Sequence, residues 1–166
     1  GFEELKMPFA CVATDIGTGE EVVIKHGSVL EGVRASISIP AIFTVVKWKD
    51  RYLVDGGLVN PVPVSVLRSM GANFIIAVNV IPDRAHQDKE RAKEFKEPNI
   101  FNVIMQSMSI GTHSLVRFCL EGADIVIEPQ VAHIGPGELH RAQECILQGE
   151  LVAQDSILEI KRRLTK

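Results

Sequence analysis

Along its 166 residues the chain alternates short apolar runs with longer segments in which apolar residues recur every three or four positions. Short runs of that kind read as strands and the longer segments as amphipathic helices. Residues 9–14 are apolar and β-compatible, and Asp15 ends them. Gly17-Thr18-Gly19 then turns the chain, and residues 21–24 return as a second strand. A short helix is expected over 29–36, closed by Ser38-Ile39-Pro40. Residues 45–48 and 51–54 form a hairpin pattern around Lys49-Asp50, with Asp55-Gly56-Gly57 at the end of its second strand. Residues 63–70 predict a helix, with Pro63 near its first turn and Gly71 as its C-terminal cap.

Residues 74–80 are apolar on both alternating faces, as in a strand buried between helix layers. The stretch 82–98 is charged, with Phe95 its one large apolar residue, and reads as a surface excursion inside one domain. Asn99 can cap a long helix whose apolar stripe runs Phe101, Met105, Met108, Thr112, Leu115, Cys119. Residues 123–127 are a further buried strand, stopped by Pro129. A final helix from about Glu138 carries Ala142, Ile146, Gly149, Ala153, Ile157, Ile160 and Leu164 on one side. The succession of strands and helices is that of a layered α/β domain. No internal repeat or low-complexity segment interrupts it.

Composition narrows the function classes. With 46% apolar and 23% charged residues, the chain suits one soluble domain with a sizeable core. A net charge of −3 and a pI near 6.0 leave no electrostatic footprint for nucleic acid. Lys161, Arg162, Arg163 and Lys166 cluster at the C-terminus, where they complement a helix dipole rather than mark a phosphate or lipid site. Cys11, Cys119 and Cys145 are widely spaced and form no Cys-x-x-Cys pair. They read as buried structural thiols of a reducing, cytoplasmic compartment. No apolar run approaches the ~20 residues of a membrane-spanning helix, and Glu3, Glu4 and Lys6 are unlike a signal peptide.

The most informative candidate for chemistry is Asp55. A carboxylate at a strand terminus stands where α/β sheets place catalytic groups. The following Gly56 and Gly57 permit φ > 0 and close approach of another backbone or a ligand. Taken alone, Asp-Gly is also a common turn dipeptide. Asn60 is expected to hydrogen-bond across that turn and hold the Asp55 loop. Ser36 and Ser38 lack the flanking glycines of a nucleophile elbow and read as helix-end packing. His26, His86, His113, His133 and His140 show no metal-ligand spacing and are expected to face solvent. Gly135-Pro136-Gly137 lacks phosphate-binding companions and reads as a plain turn. Neither metal nor cofactor is called for.

The surroundings of Asp55 go further than the tripeptide. Arg34-Ala35-Ser36-Ile37-Ser38-Ile39-Pro40-Ala41-Ile42-Phe43 precedes it, and Leu53-Val54-Asp55-Gly56-Gly57-Leu58-Val59-Asn60-Pro61-Val62-Pro63 contains it. Together with Thr14-Asp15, Gly17-Thr18-Gly19-Glu20, the strand after Gly71-Ala72, residues 123–129 and the closing helix, this series resembles the patatin-like phospholipase family. The resemblance implies a three-layer α/β/α sandwich and hydrolysis of lipid acyl esters, with phospholipids or lysophospholipids as substrates. It also implies a Ser–Asp dyad, with Asp55 the base and the serine in a Gly-x-Ser-x-Gly elbow. Partial burial would raise the Asp55 pKa from the ordinary value near 3.9 and make it a better base.

No Gly-x-Ser-x-Gly and no glycine-rich oxyanion loop occur in this sequence. Residues 1–166 are therefore expected to be the C-terminal portion of a single patatin-like domain, incomplete without an upstream segment that carries the serine, and inactive alone. A lone portion of this kind would expose strand edges and apolar surface and self-associate. Lipid substrates imply peripheral membrane contact, although no strongly amphipathic basic helix is present to make it. A second reading stays open: a non-catalytic α/β interaction or ligand-binding domain that keeps the scaffold without the elbow.

Overall fold

The computed structural model describes residues 1–81, 97–135 and 137–165. Most of the expected surface excursion at 82–98, with His86 and Phe95, lies outside the described residues. The chain divides into two compact units, Gly1–Pro63 with Pro98–Leu115 and Val64–Glu97 with Val116–Lys166. Both contain strands and helices, and the chain is an α/β protein.

The first unit is built on an antiparallel sheet of four strands, β1 (Cys11–Asp15), β2 (Glu21–Ile24), β3 (Val46–Trp48) and β4 (Arg51–Asp55), in the order β2-β1-β4-β3. β1 is buried throughout and lies between β2 and β4. Asp15 is the last residue of that strand. Its N–H donates to the Glu20 carbonyl (3.0 Å), while its carboxylate accepts the Gly17 N–H (2.9 Å) and faces Arg51 at 3.4 Å. Helix α1 (Val29–Ser36) has the expected bounds and is capped by Ser28, whose hydroxyl accepts the Glu31 N–H. It brings Ala35 into a core with Phe2, Cys11, Ala13, Ile24 and Leu53. A Cβ on Gly32 would stand 2.7 Å from the Phe2 ring, so the helix approaches there only without a side chain.

The second unit holds helix α2 (Val64–Ser69), a parallel pair of strands β5 (Ile76–Val78) and β6 (Ile125–Ile127), and the long helix α4 (Ala142–Leu164). Gly71, at φ +95, ends the turn after α2 as the sequence leads one to expect. The Asp124 carboxylate accepts the Ile75 N–H (2.8 Å), and Arg68 donates to the Gly122 carbonyl (2.7 Å), fixing the approach to both strands. The apolar pattern of 74–80 predicts burial on both faces, but only one is covered. Ile75 and Ala77 are buried, whereas Ile76, Val78 and Val80 are exposed.

Helix α3 (Ile100–Cys119) half-buries Met105, Met108, Thr112, Leu115 and Cys119 of the expected stripe; Phe101 is exposed and Val116 is the buried residue. In α4 the covered stripe is rotated from the expected one. It runs through Cys145, Gly149, Val152, Ala153, Ser156 and Ile160, so Gly149, Ala153 and Ile160 of the expected stripe are covered while Ala142, Ile146, Ile157 and Leu164 are exposed. The helix carries apolar residues on two faces, and spacing alone does not choose between them. All three cysteines are free, but only Cys11 is fully buried, and burial pushes its thiol pKa up.

Candidate active site

Asp55 ends β4 directly opposite Ala13 of β1. β3 pairs with β4 only as far as Val46 opposite Leu53, two residues short of Asp55. Where β3 would have continued, the Ser38 carbonyl accepts the Asp55 N–H at 2.9 Å. On the other side the Asp55 carbonyl accepts the hydroxyl of Thr14 at 2.8 Å, a side chain 3% exposed. Both backbone groups of Asp55 are thus fixed before its carboxylate makes any contact.

The carboxylate then starts a single 3₁₀ turn, Gly56–Leu58, by accepting the Gly57 N–H on Oδ1 at 2.7 Å. Gly56 and Gly57 are needed here for space, not for positive φ, which neither adopts. A Cβ on Gly56 would lie 2.2 Å from the Val12 carbonyl oxygen, deep inside contact distance with β1. One on Gly57 would lie 2.9 Å from Asp55 Oδ1. The two glycines therefore let the strand end pack onto β1 and let the carboxylate fold back on the chain.

The half-buried Asp55 carboxyl has its pKa raised above the usual aspartate value by desolvation, and the Gly57 N–H opposes part of that rise. Asn60 is buried and its N–H closes on the Gly56 carbonyl (2.9 Å). Its side-chain amide donates to Glu21 Oε1 of β2 at 3.0 Å. Asn60 therefore ties the loop after Asp55 across to β2.

Ser38 is fully buried, donates its hydroxyl to the Arg34 carbonyl (2.6 Å) and accepts from Arg34 Nη1, so its oxygen is committed inside the fold. The sequence pattern did not single out Thr14, whose hydroxyl meets the Asp55 carbonyl, or Arg34, which contacts Ser38. Thr14 stood beside Asp15 in the motif, but its partner became visible only with the β1–β4 register.

The remaining candidates are occupied elsewhere. His26 and His133 face solvent as expected, each with a carboxylate neighbour: His26 Nδ1 lies 3.5 Å from Glu3, and His133 Nε2 lies 2.6 Å from Glu144. The Gly135 N–H donates to Glu138 Oε2 at 2.6 Å, which takes up the donor an anion would have used. At the C-terminal end of α4, Arg162 and Arg163 both pair with Glu159, whose carboxyl pKa they hold down at about 2. Arg163 also donates to the Asp124 carbonyl at 2.7 Å. Among the described residues, no group of three His, Cys, Asp or Glu side chains is placed to hold a metal ion. Nor is any described helix long and apolar enough to cross a membrane.

The family model for patatin-like phospholipases matches residues 1–68, a stretch that includes the whole Asp55 turn. An uncharacterized NTE family protein of Mycobacterium tuberculosis is 30% identical over 113 residues, which are 68% of this chain and 30% of that protein. A second uncharacterized NTE family protein of the same organism is 38% identical over 78 residues, 47% of this chain and 13% of that protein. The patatin-like phospholipase domain-containing protein 7 of Mus musculus is 39% identical over 80 residues, 47% of this chain and 6% of that protein. The match to the first of these spans about 30% of its length, and the others less. Through the match over residues 1–68 and these relatives, the chain belongs to the patatin-like phospholipase family.

Proposed function

We propose that this chain supplies the general base, Asp55, of a Ser–Asp dyad in a lipid acyl ester hydrolase of phospholipase or lysophospholipase type. The observation that carries the reading is the state of Asp55. It is fixed through both backbone groups, half-buried with a raised pKa, and accepts the adjacent Gly57 N–H on Oδ1. A free aspartate is a weak base, and a raised pKa moves it toward useful strength without a histidine.

In the proposed step, Oδ2 takes the proton of a serine hydroxyl as that oxygen attacks the acyl carbonyl carbon. The tetrahedral intermediate collapses with loss of the alcohol, which leaves with the proton held by Asp55. Water then loses a proton to the regenerated carboxylate as it attacks the acyl-enzyme, releasing the fatty acid and restoring the serine. The serine comes from a Gly-x-Ser-x-Gly segment outside residues 1–166, and the complete domain forms the three-layer α/β/α sandwich. In this reading residues 1–166 are the C-terminal portion of that domain, inactive alone, working in the cytoplasm at the surface of lipid assemblies.

A fluorophosphonate probe tests this directly. It should label the longer protein and leave residues 1–166 unlabelled. Asp55→Asn in the longer protein should abolish ester turnover while the fold persists. Labelling of the short chain, or turnover that survives Asp55→Asn, would show the dyad to be misassigned. The non-catalytic reading draws on the lack of a Gly-x-Ser-x-Gly sequence in these residues. It predicts a full-length protein that no such probe labels.

A further inference from the structure

Between α1 and β3 the chain makes a tight excursion over residues 37–45, and its two ends are closed by one side chain. Arg34 Nη1 donates to the Ser38 hydroxyl at the near end. Arg34 Nη2 donates at the far end to both the carbonyl (3.3 Å) and the hydroxyl (3.1 Å) of Thr44. The guanidinium also lies over the Phe43 ring, 5.6 Å from its centre. A planar fork of donors can hold two acceptors at once, which an ammonium cannot do in the same geometry.

Within the excursion the Ile42 and Phe43 N–H groups donate to the Ile39 carbonyl (3.1 and 2.9 Å), a local backbone turn. Ala41 sits in the left-handed region at φ +66, and Ile37, Ile42, Phe43 and Val45 are exposed, so little apolar burial fixes its course. Yet Ser38 provides the carbonyl that fixes the Asp55 N–H. The chain of contacts is therefore Arg34 to Ser38 to the Asp55 backbone, with Thr44 and Phe43 locking the other end.

We infer that Arg34 is a positioning residue for Asp55: by stapling residues 38 and 44 it holds the Ser38 carbonyl where β3 stops and so sets the angle at which the carboxylate meets its serine. This deepens the reading of Asp55 as the general base and rests on it. Misplacing a reacting group by about 1 Å can cost on the order of 10² in rate. Freeing the loop should therefore lower kcat rather than substrate affinity.

The test uses the full-length protein and four variants, Arg34→Ala, Arg34→Lys, Thr44→Val and Asp55→Asn. Arg34→Ala should lower kcat by about 10- to 100-fold with KM within about twofold. It should also move the acid limb of the kcat profile toward the ordinary aspartate value, because a loosened strand end admits water to the carboxylate. Arg34→Lys should recover part of kcat through the contact it can still make. Thr44→Val should reduce kcat by a smaller factor, and it serves, with Arg34→Lys, if Arg34→Ala does not fold.

The inference is overturned if these variants fold with kcat within twofold of wild type and an unmoved acid limb while Asp55→Asn is dead. It is equally overturned if lost activity tracks lost folded protein with the acid limb unchanged. Turnover that survives Asp55→Asn brings down the dyad reading itself and this inference with it, so the two failures are told apart.

Discussion

At Asp55 the demands of chemistry and of folding oppose each other. Desolvation raises its carboxyl pKa, which strengthens the base but makes the ionised form unfavourable in the folded state. Because the folded pKa lies above the unfolded one, the group's contribution to stability is fully present below the unfolded value of about 3.8 and is lost as pH rises through the folded value. At pH 7 the charged carboxylate is thus a net burden. Asparagine keeps an oxygen for the Gly57 N–H and carries no charge to bury. Asp55→Asn should therefore be at least as stable as wild type at pH 7 in urea unfolding, with the advantage vanishing below about pH 4. The same substitution should abolish ester turnover in the complete protein. A variant clearly less stable than wild type at pH 7 would mean that burial does not govern this carboxylate. Gly56 is the complementary case, since its substitution acts on geometry alone. The 2.2 Å approach of a Cβ to the Val12 carbonyl cannot be relieved by a side-chain rotation, because the obstacle is backbone. Gly56→Ala should cost about 3 kcal/mol, read from the shift in denaturation midpoint at unchanged m-value.

β4 is the element that joins core to site, with Leu53 fully buried on it and Asp55 at its end. Leu53→Ala should destabilise the first unit by about 3 kcal/mol, because the enclosing α1 and β1 side chains cannot collapse fully onto the gap. It should lower activity only in proportion to the folded fraction, measurable by comparing kcat before and after correction for unfolded protein. How far such an element was legible differed along the chain for physical reasons. The bounds of α1 are legible because the Ser38-Ile39-Pro40 stretch closes the helix just beyond Ser36. The turn at Asp55 was recognisable because Asp-Gly-Gly has few ways to continue a strand. The contacts that hold Asp55 were not legible, since Thr14 and Ser38 reach it from 41 and 17 residues away in sequence. Apolar periodicity says which residues avoid water without saying which partner covers them. That is why apolar patterning predicts burial on both faces of β5, where one is covered, and a stripe on α4 that is covered only in part.

At the scale of the whole molecule, the chain leaves much apolar surface in water. α4 buries no residue completely, and Leu147, Leu151 and Leu158 project from it at 52%, 47% and 80% exposure. These three positions follow one another at helical spacing, so they form a face rather than isolated exposures. Ile76, Val78 and Val126 are exposed on the strands of the same unit. Contiguous apolar area of this kind is uncommon on a protein that stays monomeric in water. Charge offers little opposition, because a net −3 over 166 residues is a weak self-repelling field. Residues 1–166 should therefore self-associate as their concentration rises, seen as a concentration-dependent sedimentation coefficient. Replacing Leu147 and Leu158 by lysine should suppress that association with little change in the denaturation midpoint, since Leu158 is 80% exposed and Leu147 is 52% exposed. If the double variant associates as strongly as the parent, the adhesive surface lies elsewhere, and the exposed residues of β5 and β6 become the ones to substitute.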